Sequence, residues 1–283
     1  MASTAKIKTK LREWRDAFVF AVVVATLFRW SLAEAFVIPT SSMENSLLVG
    51  DYLVVSKIHY GSRTPRTPLQ IPLTHQKIWG TEIPSYLDWI QLPSYRLPGL
   101  QGVRRGEPVV FNVPQDLLDP TVRPVDLKTY LIKRCVAIGG DVVEVRNRQL
   151  FINNRMAKNP EGLMHSYWVT AHDELSARTR DRLNLGTDDV SLLGRQADRS
   201  VKYRMLLTER QKAELEALPF IRSVEPDREV SSRMGFPLFP IGTAARWDGD
   251  EYGPVRVPAE GMTIAVNDST WQVYGDYISK YEG

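Results

Sequence analysis

Three hydroxyl side chains, Thr40, Ser41 and Ser42, stand in a row between Pro39 and Met43. A serine hydroxyl is a weak nucleophile unless an adjacent base takes its proton. Pro39 fixes its own φ and keeps Ile38 out of the helical region, so a helix arriving from the N-terminal side ends here and the hydroxyls fall on a constrained, extended exit. The same residues also read as a polar linker. A candidate base is Lys133. Alternation along the predicted strand Tyr130–Ile138 places Leu131, Lys133, Cys135 and Ala137 on one face, and Tyr130, Ile132, Arg134, Val136 and Ile138 on the other. An amine held among three apolar neighbours is desolvated, its pKa falls, and the neutral form required of a general base is populated nearer neutral pH. Taken alone, Lys133 fits equally an exposed strand lysine that guards an edge. A histidine mechanism through His59 has no nearby group in the sequence to orient its ring.

The elements that must position these groups are set by composition and pattern. A chain of 283 residues buries one sizeable core, or one core with a large insertion. The formal net charge of +3 resides entirely in residues 1–16, where Lys6, Lys8, Lys10, Arg12 and Arg15 face Glu13 and Asp16. The remainder is balanced and has no basic run, which excludes a nucleic-acid partner. Cys135 is the single cysteine, so no intramolecular disulfide forms, and His165 and His172 lack zinc-ligand spacing; neither a metal nor a cofactor is expected. Ala17–Phe28 is apolar apart from Thr26, and across Arg29 and Glu34 that character runs on to Ile38. At about 1.5 Å per residue, a helix over 17–38 covers a hydrocarbon core of roughly 30 Å. The basic residues before it predict a cytoplasmic N-terminus, with Trp14 and Trp30 near the two interfaces. A cleaved signal peptide competes with this reading, because a basic start, an apolar stretch and Ala33-Glu-Ala35 mimic one. The charge at Arg29 and the continued apolar pattern favour a retained anchor.

Beyond the anchor, Asp51–Lys57 is strand-like, and residues 62–104 form a loop rich in proline and aromatic residues, in which Pro65, Pro68, Pro72, Pro84, Pro93 and Pro98 forbid central strands. Trp79, Tyr86, Trp89 and Tyr95 are interleaved there, suited to packing on the domain or to a lipid headgroup layer. Pro108–Val113 reads as a strand, and Gly139-Gly-Asp141 turns the chain into a hairpin of Val142–Arg146 and Gln149–Asn153. In the looser region that follows, Thr208-x-x-Gln211 is a capping box for one clear helix.

Together, Ile38-Pro-Thr-Ser-Ser-Met43, Gly50-Asp51, Arg105-Gly106 and Tyr130-Leu-Ile-Lys-Arg134 followed by Gly-Gly-Asp141 resemble the ordered motifs of the bacterial type I signal peptidases, which remove signal peptides from exported proteins. The resemblance implies Ser42 as nucleophile and Lys133 as general base. It implies that Thr40 completes an oxyanion hole with the nucleophile's backbone N–H, that Met43 packs beneath, and that Arg134 and Asp141 support the strand and its turn. The implied partners are preprotein signal peptides, bound extended through small residues, and the lipid bilayer. The implied location is the inner membrane of a bacterium, single-pass, with the catalytic domain on the periplasmic side.

The expected architecture is therefore mainly β: a basic tail (1–16), a transmembrane helix (17–38), an antiparallel β-rich catalytic core (39–153) and an inserted α/β subdomain (154–260). Residues 261–283 return towards the core. The family's late motif, Gly-Asp-Asn-Arg-Asp-x-Ser, is matched only by the fragments Val266-Asn-Asp-Ser269 and Gly275-Asp276. That departure implies a truncated chain, a second chain completing the core, or lost activity. The alternative function is an inactive or incomplete anchored β-domain that binds exported chains or a partner subunit. Asn45, where the family usually has proline, and Gly139, where Pro-Gly is common, are lesser departures.

Overall fold

A computed structural model of the chain describes residues 2–113, 123–228, 238–240 and 247–279, without the side chains of residues 2–9 and 276. The parts of the expected insertion at 229–237 and 241–246, the Asp276 side chain and residues 280–283 lie outside the described residues. The chain divides into two compact units, Met1–Val136 and Ala137–Gly283. Beyond the N-terminal helix of the first unit, the regular structure of both is mainly β, and every described ladder is antiparallel.

The first unit opens with helix α1 (Ala2–Ser31), followed by strand β1 (Ala33–Val37). This corrects the expected single helix over 17–38. Arg29 and Glu34 are not two charges along one span; they form an ion pair folded across the helix end, with Arg29 Nη2 2.5 Å from Glu34 Oε1. Lys57 Nζ meets the other oxygen of the buried Glu34 at 2.7 Å. The uncharged, largely apolar part, Ala17–Phe28, rises about 18 Å as a helix, well short of a hydrocarbon core of roughly 30 Å. Among the described residues, no helix is long and apolar enough to cross a membrane.

The apolar residues after the helix serve a ladder instead. β1 pairs with β2 (Tyr52–Ser56) from Ala33 opposite Ser56 to Val37 opposite Tyr52. The connecting loop, residues 38–51, is closed at its neck: Ile38 N–H donates to Asp51 O (3.0 Å) and Gly50 N–H donates to Ile38 O (2.9 Å). Gly50 has φ +91°, a left-handed conformation that glycine adopts without penalty. The proline-rich stretch forms no named strand; three isolated bridges, Arg63 with Arg96, Gln70 with Tyr86 and Lys77 with Pro84, fold it back on itself as an arm.

β3 (Pro108–Asn112) pairs with β4 (Tyr130–Arg134). β4 is shorter than the predicted Tyr130–Ile138 because the regular register with β3 ends at Arg134 opposite Pro108: beyond it Cys135 alone faces two residues, donating to Glu107 O (2.8 Å) and accepting from Gly106 N–H (2.6 Å). Cys135 and Ala137 are therefore not strand neighbours of Lys133. Its face is built instead by Leu131 and, across the ladder, by Val109 opposite Lys133 and Phe111 opposite Leu131.

In the second unit, β5 (Val142–Arg146) and β6 (Gln149–Ile152) form the expected hairpin, one residue short of the predicted end. Its turn, Asn147-Arg148, has φ +46° and +69°, the twist that matches a two-residue hairpin. β7 (Arg155–Met156) and β12 (Tyr252–Arg256) flank it. A second sheet has the order β11-β8-β10-β9, from β8 (Met164–Ala171), β9 (Val190–Arg195), β10 (Val201–Thr208) and β11 (Ile221–Pro226). Along β10, Val201, Tyr203, Met205 and Leu207 are buried in strict alternation and join Val169 and Leu215 in one apolar core. Each such side chain contributes on the order of 1.5–3 kcal/mol by leaving water. α2 (Ala177–Arg182) lies between β8 and β9, and α3 (Glu209–Glu216) follows β10 through the predicted capping box, with Thr208 and Gln211 bonded reciprocally.

Candidate active site

Among the described residues, the hydrogen-bond partners of Ser42 and Lys133 lie within the first unit. Ser42 occupies a single 3-10 turn, Ser41–Met43, entered from an extended Thr40 (φ −138°, ψ 151°). The turn is held by its own backbone: Glu44 N–H donates to Ser41 O (2.8 Å), while Ser46 and Leu47 N–H both donate to Met43 O (3.0 and 2.8 Å). Met43 is buried beneath it. Asn45 takes φ +63°, which asparagine tolerates and proline cannot reach, so the departure from the family pattern coincides with a distinct local backbone. Asp51 caps the far side of the loop, accepting from Leu48 N–H at 2.8 Å.

Two ties bring this loop to β4. Phe36 of β1 packs edge-on against Tyr130 at the start of β4, with ring centroids 5.1 Å apart. At the other end of the strand, Arg134 donates to the Ser46 hydroxyl (2.8 Å) and to Gly106 O (2.7 Å). Between these ties, Lys133 Nζ lies 2.5 Å from Ser42 Oγ and 3.1 Å from Ile132 O. Desolvation by burial holds the Lys133 amine below the usual lysine range. In its neutral form that amine accepts the serine proton, so the pair can generate a nucleophile without imidazole. Thr40 Oγ1 lies 3.5 Å from Ser42 Oγ, on the same exposed side of the turn.

Asp141 belongs to the second unit, where it is buried. Its carboxylate accepts from Ile138 N–H (2.9 Å) and from Asn153 Nδ2 (2.9 Å), fastening the turn that leads into the β5–β6 hairpin. The sequence left His59 without an orienting group; the structure supplies one, as Nδ1 lies 2.8 Å from Ser56 Oγ, so the ring is engaged by a neighbour on its own segment. The fragment Asn267-Asp268-Ser269 is used locally as well. Asn267 caps helix α4 (Asp268–Tyr277), accepting from Ser269 and Thr270 N–H at 3.1 and 3.0 Å.

Ser46 was not singled out by the sequence. Its link to Arg134 spans 88 positions and leaves no local pattern. The same holds for Glu107, which accepts from the Tyr60 hydroxyl at 2.6 Å and from Arg104 N–H at 2.9 Å, bracing the turn before β3. The Tyr60 phenol is pushed up to about 12, first by that hydrogen bond.

The family whose model is described as signal peptidase, peptidase S26, matches residues 11–206, a range that contains every residue of the Ser42–Lys133 site. Among curated relatives, a signal peptidase I of Helicobacter pylori strain J99 is 28% identical over 163 residues, covering 55% of this chain and 46% of the relative. A signal peptidase I of Rickettsia canadensis is 29% identical over 154 residues, 54% of this chain and 47% of the relative. A signal peptidase I of Helicobacter pylori strain 26695 is 31% identical over 145 residues, 49% and 40% of the two chains. The chain thus spans about half the length of the curated relatives it matches. No solved structure matches it.

Proposed function

This chain belongs to the signal peptidase family of serine endopeptidases, peptidase S26, and from that premise we propose that it removes N-terminal signal peptides from exported preproteins, with Ser42 as nucleophile and Lys133 as general base. The observation that carries the proposal is the 2.5 Å approach of Lys133 Nζ to Ser42 Oγ. Neutral Lys133 takes the hydroxyl proton as Ser42 Oγ attacks the scissile carbonyl. The oxyanion is received by the Ser42 backbone N–H and the Thr40 hydroxyl. The protonated lysine then gives its proton to the departing amine, leaving an acyl-enzyme. Water enters, Lys133 takes its proton in turn, and hydrolysis of the ester returns Ser42 to its starting state. An apolar signal segment covering the site withdraws further water from Lys133, so binding of substrate favours the neutral base.

The substrate is read as an extended strand whose small side chains near the cleaved bond fit shallow pockets. Attachment to a membrane is supported by α1, whose Phe18, Phe20, Val23 and Phe28 are all exposed, an arrangement that water disfavours and lipid accepts. Such attachment places the enzyme in the same plane as the hydrophobic part of its substrate and raises their effective concentration.

Cleavage of a model preprotein in lipid vesicles tests the assignment. Ser42→Ala and Lys133→Ala each abolish cleavage while leaving circular dichroism unchanged. Lys133→Arg is nearly as damaging, because a guanidinium keeps its proton at working pH. The rate of the unsubstituted chain rises with pH, since the neutral amine is the active form, and the midpoint falls below the ordinary lysine value because desolvation lowers it. Retained cleavage in Ser42→Ala or Lys133→Arg removes the dyad.

A further inference from the structure

The arm formed by residues 62–104 has no part in the chemistry above, yet it is firmly built. Arg66 and Thr67 N–H both donate to Asp126 Oδ2 (3.0 and 2.9 Å), and Gln76 Nε2 donates to Leu127 O (2.9 Å). Arg63 Nη2 donates to Asn112 Oδ1 at 2.5 Å, so the base of the arm rests on the strand pair that carries Lys133. Its tip is a turn in which Ile78 N–H donates to Ile83 O (2.9 Å). On this fixed frame the apolar side chains face outward: Trp79 and Ile83 at the tip are 73% and 60% exposed, and Trp89 and Tyr95 on the returning limb are 81% and 62% exposed. Soluble surfaces rarely leave such groups in water together without a partner.

Position and charge identify the partner. The arm is clasped to the end of α1: Trp30 Nε1 donates to Arg63 O (2.8 Å), Ser62 Oγ to Ser31 O (2.5 Å) and Arg29 Nη1 to Thr74 O (3.3 Å). The exposed apolar residues of helix and arm therefore belong to one connected structure. Residues 62–104 carry five basic residues against two acidic ones, and one basic residue, Lys77, is paired with Glu82. Tryptophan and tyrosine beside an excess of positive charge match the headgroup layer of an anionic bilayer. An apolar helical run of about 18 Å leaves a membrane attachment incomplete, and a second apolar surface at its end completes it.

We propose that the arm is a rigid platform lying in the headgroup layer of an anionic lipid bilayer. Through its ties to Asn112 and Asp126 it sets the height of the Lys133 strand above that layer. This rests on the membrane attachment proposed above.

The test uses the full chain carrying Cys135→Ser and, one at a time, Trp79→Cys, Trp89→Cys and Phe20→Cys in α1, each labelled with a polarity-sensitive fluorophore. On addition of phosphatidylglycerol–phosphatidylcholine vesicles, the labels at 79 and 89 shift to the blue and brighten several-fold, and they are reached by quenchers at shallow acyl depth only. Labels at 79 and 89 that remain water-like while the label at 20 shifts overturn the platform and leave the attachment of α1 standing. A label at 20 that also stays water-like overturns the attachment itself. Shifts at 79 and 89 that track protein concentration without lipid assign the arm to a second copy of this chain, and shifts only with added preprotein assign it to the exported chain; either overturns the proposal. Hydrogen exchange of the unsubstituted chain over residues 77–92, with and without vesicles, gives the same answer if a labelled variant does not fold: slower exchange with vesicles supports the platform, and unchanged exchange overturns it.

Discussion

Along β10 in the second unit, every other side chain from Val201 to Leu207 is buried against a continuous apolar core. Along β4 in the first unit, all five residues are only half-buried, and the neighbouring elements are joined by single polar ties such as Arg134 to Ser46 and Glu34 to Lys57. The second unit is held by burial that is spread over many residues. The first is held by two backbone ladders, polar ties and a few buried apolar residues such as Ile38, Met43 and Leu127, and leaves many of its large apolar side chains outside. The proposed catalytic pair sits in the first, where partial exposure lets a peptide reach Ser42 and partial burial lowers the affinity of Lys133 for its proton. A close-packed apolar core would supply the second property and deny the first.

Three substitutions sharpen that contrast. The largest effect on folding is expected from Met205→Ala, which empties a fully buried site in β10 and costs about 2–5 kcal/mol by urea unfolding. A loss well under about 1 kcal/mol would place the stability of the second unit outside this core. Thr40→Val keeps the side-chain shape and removes the hydroxyl beside Ser42; it lowers kcat by about a hundredfold or more, near 3 kcal/mol, with unfolding unchanged. Unaltered kcat would remove Thr40 from the oxyanion site. The smallest effect belongs to Ser46→Ala, which takes one partner from Arg134 and costs about 1 kcal/mol, seen as a severalfold fall in kcat that Ser46→Thr restores. Equal loss in the threonine variant would show that loop packing, not the hydroxyl, positions the nucleophile.

Several features were legible because their causes are local. Thr208 and Gln211 stand three positions apart and cap α3 as expected. The prolines between residues 62 and 104 rule out a regular ladder, and none forms. The hairpin after Asp141 lies where its alternation and turn residues put it. The end of α1 was not legible. Arg29 and Glu34 looked like two interruptions in one apolar span, and their meaning changes once Lys57, brought alongside by the β1–β2 ladder, joins Glu34. The neighbours of Lys133 are hidden from the sequence for a related reason: the regular register ends at Arg134, where Cys135 meets both Glu107 and Gly106, and a residue's own strand does not announce its partner.

By itself the sequence determined which groups were available for chemistry and which backbone forms were forbidden, since residue type and near-neighbour spacing carry both. Pro39 ends the approach to the hydroxyls, and Ser42 and Lys133 supply a nucleophile and an amine. Only the tertiary structure decided that these two, 91 positions apart, meet at 2.5 Å, that Ser46 holds Arg134, and that the aromatic residues of the arm face outward. Proximity, desolvation and exposure depend on which distant segments arrive beside a residue. No local pattern encodes that arrival.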